Sequence, residues 1–391
     1  MLLSVAGVII VGSLMGAIFN CLKLPRLLGY LLAGILLGPS MLDSLDPGFL
    51  QLSPIIRRVA LIIILVRAGL TLNMRQLTQV GRPALLLCFV PASMEMLGAL
   101  LVGPWLLGLS LAESLLIGSV LAAVSPAVVV PRMVNLIEDG YGVNKQIPQM
   151  ILAGASADDV YVLVLFTAFM SLNLSGHFQA LDLLKVPVAI LSGILIGWLI
   201  GFFLVKFLQR YSIDRMMQIL LILAISFILV TLEDYCQGYY SGLLSIISMN
   251  MMIFREMPED ASSLSRGFNH LWRGAEIFLF FLVGASVDLS YTLKSSWLPL
   301  VFIACLLVFR VVGVALALVH TALSKQERLF VAFAYLPKAT VQAAIGSLPL
   351  ASGLASGELI LSVSVLSILT TAPLGAILTD YFAGKWLTRS N

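Results

Sequence analysis

ILAGASADDVYVLVLF, residues 151–166, is a long apolar run with two adjacent carboxylates, Asp158 and Asp159, near its middle. A charged side chain at the centre of a bilayer costs roughly 2.5–3.5 kcal/mol on insertion scales, and two side by side also repel. A membrane segment keeps such a pair where it must hold something that moves, most simply a proton or a cation; neutralised structural pairing with buried Lys or Arg is the plainer alternative. Neighbouring residues on a helix point about 100° apart, so one Asp can face an ion path while the other faces a different helix. Ala153, Gly154, Ala155, Ser156 and Ala157 just precede the pair, and small residues of this kind let another backbone pack close.

The rest of the chain makes a membrane setting the natural one. Of its 391 residues, 60% are hydrophobic and 11% charged, with a mean hydropathy of +1.04. A soluble domain carries about 25% charged residues. The expected fold class is therefore an all-α polytopic membrane protein. Nothing resembles a nucleotide-binding loop, a soluble catalytic domain or a regulatory tail, so an enzyme is not expected, and the net charge of +3 reports topology and not a nucleic-acid partner. Four scattered cysteines, Cys21, Cys88, Cys236 and Cys305, show neither a disulfide framework nor zinc spacing. The first apolar run lacks the basic leader of a cleaved signal and is expected to remain as the first span.

Apolar runs of about 20 residues place about thirteen spans. They lie near 2–20, 26–40, 55–72, 82–106, 113–136, 146–171, 186–208, 215–232, 237–253, 271–289, 296–320, 327–350 and 357–383. With the N-terminus outside, the inner ends carry about sixteen basic residues, among them Arg75 and Lys145. The outer ends carry four, Arg57, Arg58, Lys185 and Lys294, which fits the positive-inside rule and puts the C-terminus in the cytoplasm. The polar stretch near 254–270 then reads as a solvated cytoplasmic connector, with a short interfacial helix as the alternative. Three bases, Arg67, Arg310 and Lys338, and three acids, Glu95, Asp158 and Asp159, remain inside spans, which points to buried pairing. Arg67, late in its span, is taken as structural.

Two spans are interrupted. The fifth reads SVLAAVSPAVVVPRM, with Pro126 and Pro131 inside the apolar run; the twelfth reads AYLPKATVQAAIGSLPL, with Pro337, Lys338 and Gly346 in the same relative place. Proline removes a backbone donor and clashes with the preceding turn, so it kinks or breaks a helix. The two breaks are seven spans apart, and so are Glu95 and Arg310, in the fourth and eleventh spans. A seven-span offset reverses orientation, which predicts inverted repeats with two broken, crossing helices and an ion site at the midplane. On this pattern transport is favoured.

These pieces resemble a known family, the monovalent cation–proton antiporters, along essentially the whole chain. The resemblance is carried by PRLLGYLLAGILLGP (25–39), the paired-aspartate helix and the two broken spans. More narrowly, VSPAVVVPRM (124–133), GYGV (140–143) and PKATVQAAIGS (337–347) look like the NHA branch of sodium–proton antiporters. The resemblance implies an elevator-type homodimer in the cell membrane. Core transport helices would lie near 82–171 and 296–383, and dimerisation or scaffold helices near 1–72 and 186–289. It implies that Asp159 binds the transported cation or proton, with Asp158 as its partner, and that Arg310 pairs with Glu95. Lys338 would balance carbonyl ends of the crossed half-helices.

Two departures stand out. Many relatives have Thr-Asp in the first broken helix where this chain has Ser125-Pro126, and electrogenic bacterial relatives carry a lysine where this chain has Arg310. A guanidinium stays protonated at any working pH and cannot be a released proton carrier.

The expected activity is sodium- or lithium-for-proton exchange, in which proton and cation compete for Asp159. Hard cations want oxygen ligands, which the carboxylates, Ser125, Thr340, carbonyls and water can offer. Replacement of lysine by Arg310 leans the expectation toward electroneutral exchange. A potassium–proton antiporter is the nearest alternative, a cation channel a further one. An intramembrane aspartyl protease needs two aspartates facing each other, which residues at i and i+1 do not provide. No cofactor is expected beyond the transported ions, and the partners are those ions, the bilayer and a second copy of the chain.

Overall fold

The computed structural model describes residues 1–71, 81–174, 182–211, 213–236, 239–288 and 297–389. Arg75 and Lys294, and the side chain of Lys185, lie outside the described residues. Among the described residues the regular structure is helical, apart from an isolated bridge between Tyr141 and Arg389. In chain order the helices are α1 (Leu2–Cys21), α2 (Arg26–Leu37), α3 (Pro47–Gln51), α4 (Ser53–Thr71), α5 (Arg82–Leu107), α6 (Leu111–Ala122), α7 (Pro126–Glu138), α8 (Ile147–Leu174) and α9 (Asp182–Arg210). They continue with α10 (Arg215–Tyr235), α11 (Gly242–Glu256), α12 (Pro258–Ala285), α13 (Leu298–Ala317), α14 (Lys325–Ala334), α15 (Thr340–Ile345), α16 (Leu348–Ala351) and α17 (Gly357–Trp386). Among the described residues eight stretches are long and apolar enough to cross a bilayer, with α6 and α7 together counted as one; Arg26–Leu37 and Thr340–Ala351 are shorter apolar helices.

Both interrupted spans are interrupted in the structure, and both start the same way. Ser110 accepts the Glu113 N–H while Glu113 reaches back to the Ser110 N–H, and Ser324 and Glu327 repeat the arrangement. These capping boxes fix where each first half begins. The first half of the fifth span ends at Ala122, and residues 123–125 are non-helical. Pro126 opens the second half at its first position, where a missing N–H costs nothing. Pro131, expected as part of the break, lies inside α7, which runs through it. Near a helix start, one lost backbone bond is tolerated when neighbouring segments re-satisfy the freed carbonyl. In the twelfth span α14 ends at Ala334, and the chain stays non-helical through Pro337 and Lys338 until Thr340.

The expectation of a solvated connector near 254–270 is overturned. Residues 258–285 form one continuous helix, α12, entered through Met257-Pro258. Glu259 and Asp260 in its first turn favour the positive end of the helix. Ala261, Leu264, Phe268 and Trp272 are buried at spacings of three and four, the stripe of an amphipathic helix.

The chain separates into two compact units: Met1–Pro54, Met74–Val162 and Ile277–Asn391 in the first, Ile55–Asn73 and Leu163–Glu276 in the second. In the second unit α9 lies along α11, where Ser245 donates to the Gly193 carbonyl at 2.7 Å and Ser248 to that of Ile194 at 2.8 Å. Small and hydroxyl residues are how membrane helices approach closely and satisfy polar groups. In the first unit α5 packs along α13. A Cβ on Gly313 would stand 2.6 Å from the Pro91 Cα, so only glycine permits that approach. That contact sets Glu95 opposite Arg310.

Candidate functional site

The site lies wholly in the first unit, where α5, α8 and α13 meet the two breaks. The aspartate pair is deep in α8: Asp158 is fully buried and Asp159 is 8% exposed. A Cβ on Gly154, one turn earlier, would collide with the Tyr335 hydroxyl and stand 3.0 Å from the Leu87 Cβ. A small residue is therefore what lets the second broken span press against the aspartate helix.

The breaks are joined backbone to backbone, the Ser125 N–H donating to the Pro337 carbonyl at 2.8 Å. The end of α6 exposes carbonyls with no partner in their own helix, and side chains from elsewhere take them. Lys338 donates to Leu121, Arg310 to Ala122, and Gln342 to both Leu121 at 3.3 Å and Ala123 at 3.0 Å. Arg310 also donates to the Tyr335 carbonyl, at the end of α14. The next amide of the first break, Val124 N–H, donates to Asp158 Oδ2 at 2.8 Å. One carboxylate oxygen of the pair is thus fixed by backbone.

The charges converge on Glu95. Its Oε2 is 2.6 Å from the Arg310 guanidinium, and its Oε1 is 2.6 Å from Lys338 Nζ, an ion pair by distance though its angle falls outside hydrogen-bond geometry. Arg310 also reaches Asp158 Oδ2 at 3.4 Å. All four of these groups are at most 1% exposed. With all four ionised, these two carboxylates and two cations balance, and Asp159, beside Asp158, is a third carboxylate of the site.

Several buried oxygens here have no hydrogen-bond partner: Ser125 Oγ, Thr340 Oγ1, Asp158 Oδ1 and Gln342 Oε1. Buried polar groups are nearly always paired, so orphaned oxygens mark a place for water or an ion. Hard oxygens suit small monovalent and alkaline-earth cations better than soft metals. Among the described residues no group of three or more His, Cys, Asp or Glu is placed to hold a metal ion.

Of the residues singled out from sequence, Glu95, Arg310, Lys338 and Asp158 come together directly. Ser125 joins them through the break and Thr340 opens α15 two residues after Lys338. Asp159 stands beside Asp158 on α8. Two participants were not anticipated, Gln342 and the Tyr335 carbonyl. Gln342 carried a usable signal, since a carboxamide four residues after Lys338 inside a membrane span needs partners.

Residues 8–382 match the model of the sodium/hydrogen exchanger transmembrane family. The mouse protein named sodium/hydrogen exchanger 9B2 is 31% identical over 394 residues, covering 96% of this chain and 72% of that protein. The human sodium/hydrogen exchanger 9B1 is 31% identical over 382 residues, covering 94% of this chain and 73% of its own. The solved sodium proton antiporter MjNhaP1 from Methanocaldococcus jannaschii superposes with a TM-score of 0.82 at 21% identity, covering 97% of this chain and 96% of that one, a likeness of fold. With the model matching nearly end to end, the chain belongs to the sodium/hydrogen exchanger family, a family of membrane transporters and not of enzymes.

Proposed function

We propose that this chain exchanges sodium or lithium for protons across the cell membrane, with Asp159 and Asp158 as the cation and proton site. The observation that carries the proposal is a buried aspartate pair beside two broken spans, where Ser125 Oγ, Thr340 Oγ1 and Asp158 Oδ1 have no hydrogen-bond partner. Protonated, Asp159 is neutral; having lost the proton, it accepts one monovalent cation and is neutral again. Ser125, Thr340 and water complete the oxygen shell. The empty, charged site meets a desolvation penalty if it crosses, so the loaded forms move and a leak is suppressed.

Electroneutral exchange is favoured because Glu95 and Arg310 hold one another and Arg310 does not release a proton, so that one proton at Asp159 trades for one cation. The matching capping boxes, breaks and seven-span offset support inverted repeats and an elevator step. In that step helices near 82–171 and 296–383 move against a scaffold near 1–72 and 186–289. The chain would act as a homodimer with its N-terminus outside and its C-terminus in the cytoplasm.

The test is a pH-dye antiport assay in proteoliposomes, adding sodium, lithium or potassium to acid-loaded vesicles. Sodium- or lithium-driven proton efflux is expected in the native protein and its loss in Asp159→Asn, with Asp158→Asn impaired. A response to potassium alone would make this a potassium–proton antiporter. Full exchange without Asp159, or a clear voltage dependence of the reversal point, would overturn the site or the stoichiometry respectively.

A further inference from the structure

Gln342 is fully buried in α15 and has one role already described: its two amide hydrogens go to the Leu121 and Ala123 carbonyls. That leaves the other end of the carboxamide. Turning the group over would set Oε1 against two carbonyl oxygens and break both bonds, so the orientation is dictated by its partners. Oε1 therefore faces away from the α6 end, and no donor reaches it. Lys338, one turn earlier, shares the Leu121 carbonyl with Gln342 and also pairs with Glu95, so the amide is anchored inside the charge cluster.

Were Gln342 solely a clamp, an oxygen buried without a donor would be pure penalty in hydrocarbon. A hard monovalent cation, or the water it carries, removes the penalty, because such ions are readily coordinated by neutral carbonyl oxygens. The neutrality matters here. A further carboxylate here would add another exchangeable charge. A carboxamide adds a ligand for the cation and nothing for the proton.

We infer that Gln342 is a cation ligand and selectivity residue of the exchange site, presenting Oε1 to the transported ion while its amide holds the broken end of α6. The inference rests on the antiport reading above. It predicts that removing this oxygen weakens the cation side of the competition and leaves the proton side and the one-for-one balance alone.

Gln342→Met keeps length and removes oxygen and donors. In proteoliposomes its sodium KM should rise about five- to tenfold with Vmax within about twofold of native, the pattern of lost ion binding and not of a slowed step. An unchanged KM, whatever happens to Vmax, overturns the assignment and leaves Gln342 a clamp. If Gln342→Met does not reach vesicles in folded form, Gln342→Asn decides. It retains both ends of the group but withdraws the oxygen by one methylene. A changed ratio of sodium to lithium KM supports the ligand role, and an unchanged ratio overturns it. Native protein measured alongside separates the two levels: absence of cation-driven efflux there defeats the antiport reading itself.

Discussion

Glu95 is the one anion that two buried cations share, which makes Glu95→Gln the most revealing single change. At an effective dielectric of about 20, an ion pair at the observed 2.6 Å attracts by roughly 6 kcal/mol. Desolvation offsets much of that, and breaking a buried pair from one side leaves a net loss of about 3–5 kcal/mol. Arg310 would keep Asp158 at 3.4 Å and its two backbone carbonyls, whereas Lys338 would keep the Leu121 carbonyl and no anion within ion-pair distance. The expected loss therefore falls mainly on Lys338. Removing that charge as well, in Glu95→Gln/Lys338→Met, takes away the cation left without its anion and should recover at least about 1–2 kcal/mol relative to the single variant, a coupling that neighbours in one network show. Unfolding in mixed micelles reads both numbers. A single variant within about 1 kcal/mol of native, or a double variant no more stable than the single one, would refute the shared-anion account.

Three further outcomes follow from the geometry. Gly154→Val should destabilise the protein by about 1–3 kcal/mol through overpacking against Tyr335 and Leu87, and thermal unfolding in detergent measures it; a neutral result would mean the second broken span does not press on α8. Ser110→Ala and Ser324→Ala should each cost about 1 kcal/mol as lost N-caps, seen as similar downward shifts in the same unfolding assay. Raising the pH on the cation side should lower the apparent sodium KM by up to about tenfold per unit while protonation dominates, because one proton competes with one cation; a flat KM across pH 6–8 would mean the two ions do not compete for the same charge.

How far the residues alone carried the reading differs from place to place. The breaks were visible because Pro126 and Pro337 interrupt apolar runs, and no compensating local pattern hides a proline. Pro131 misled for the same reason, since an isolated proline near a helix start looks identical in sequence to one that ends a helix. The stretch 258–270 looked like a connector because hydropathy windows average its charges, while its buried stripe at Ala261, Leu264, Phe268 and Trp272 needs a periodicity reading. Equal numbers of buried acids and bases pointed to pairing, but not to its pattern. Arg310 and Glu95 are 215 residues apart, and that Lys338 converges on the same carboxylate depends on where two helices happen to cross. Gln342 escaped because it carries no charge, although burial of its carboxamide demands as much explanation as a charge does.

The backbone bond from Ser125 to Pro337 has a use of its own. Its acceptor is a main-chain carbonyl, so substitution at position 337 can alter the ring without deleting the bond, and comparison of relatives will not flag it. Its donor is one amide at the centre of a buried crossing. That proton exchanges with solvent when the two broken spans part or when water enters between them. Deuterium uptake at Ser125, followed with and without sodium, would clock how often the crossing opens.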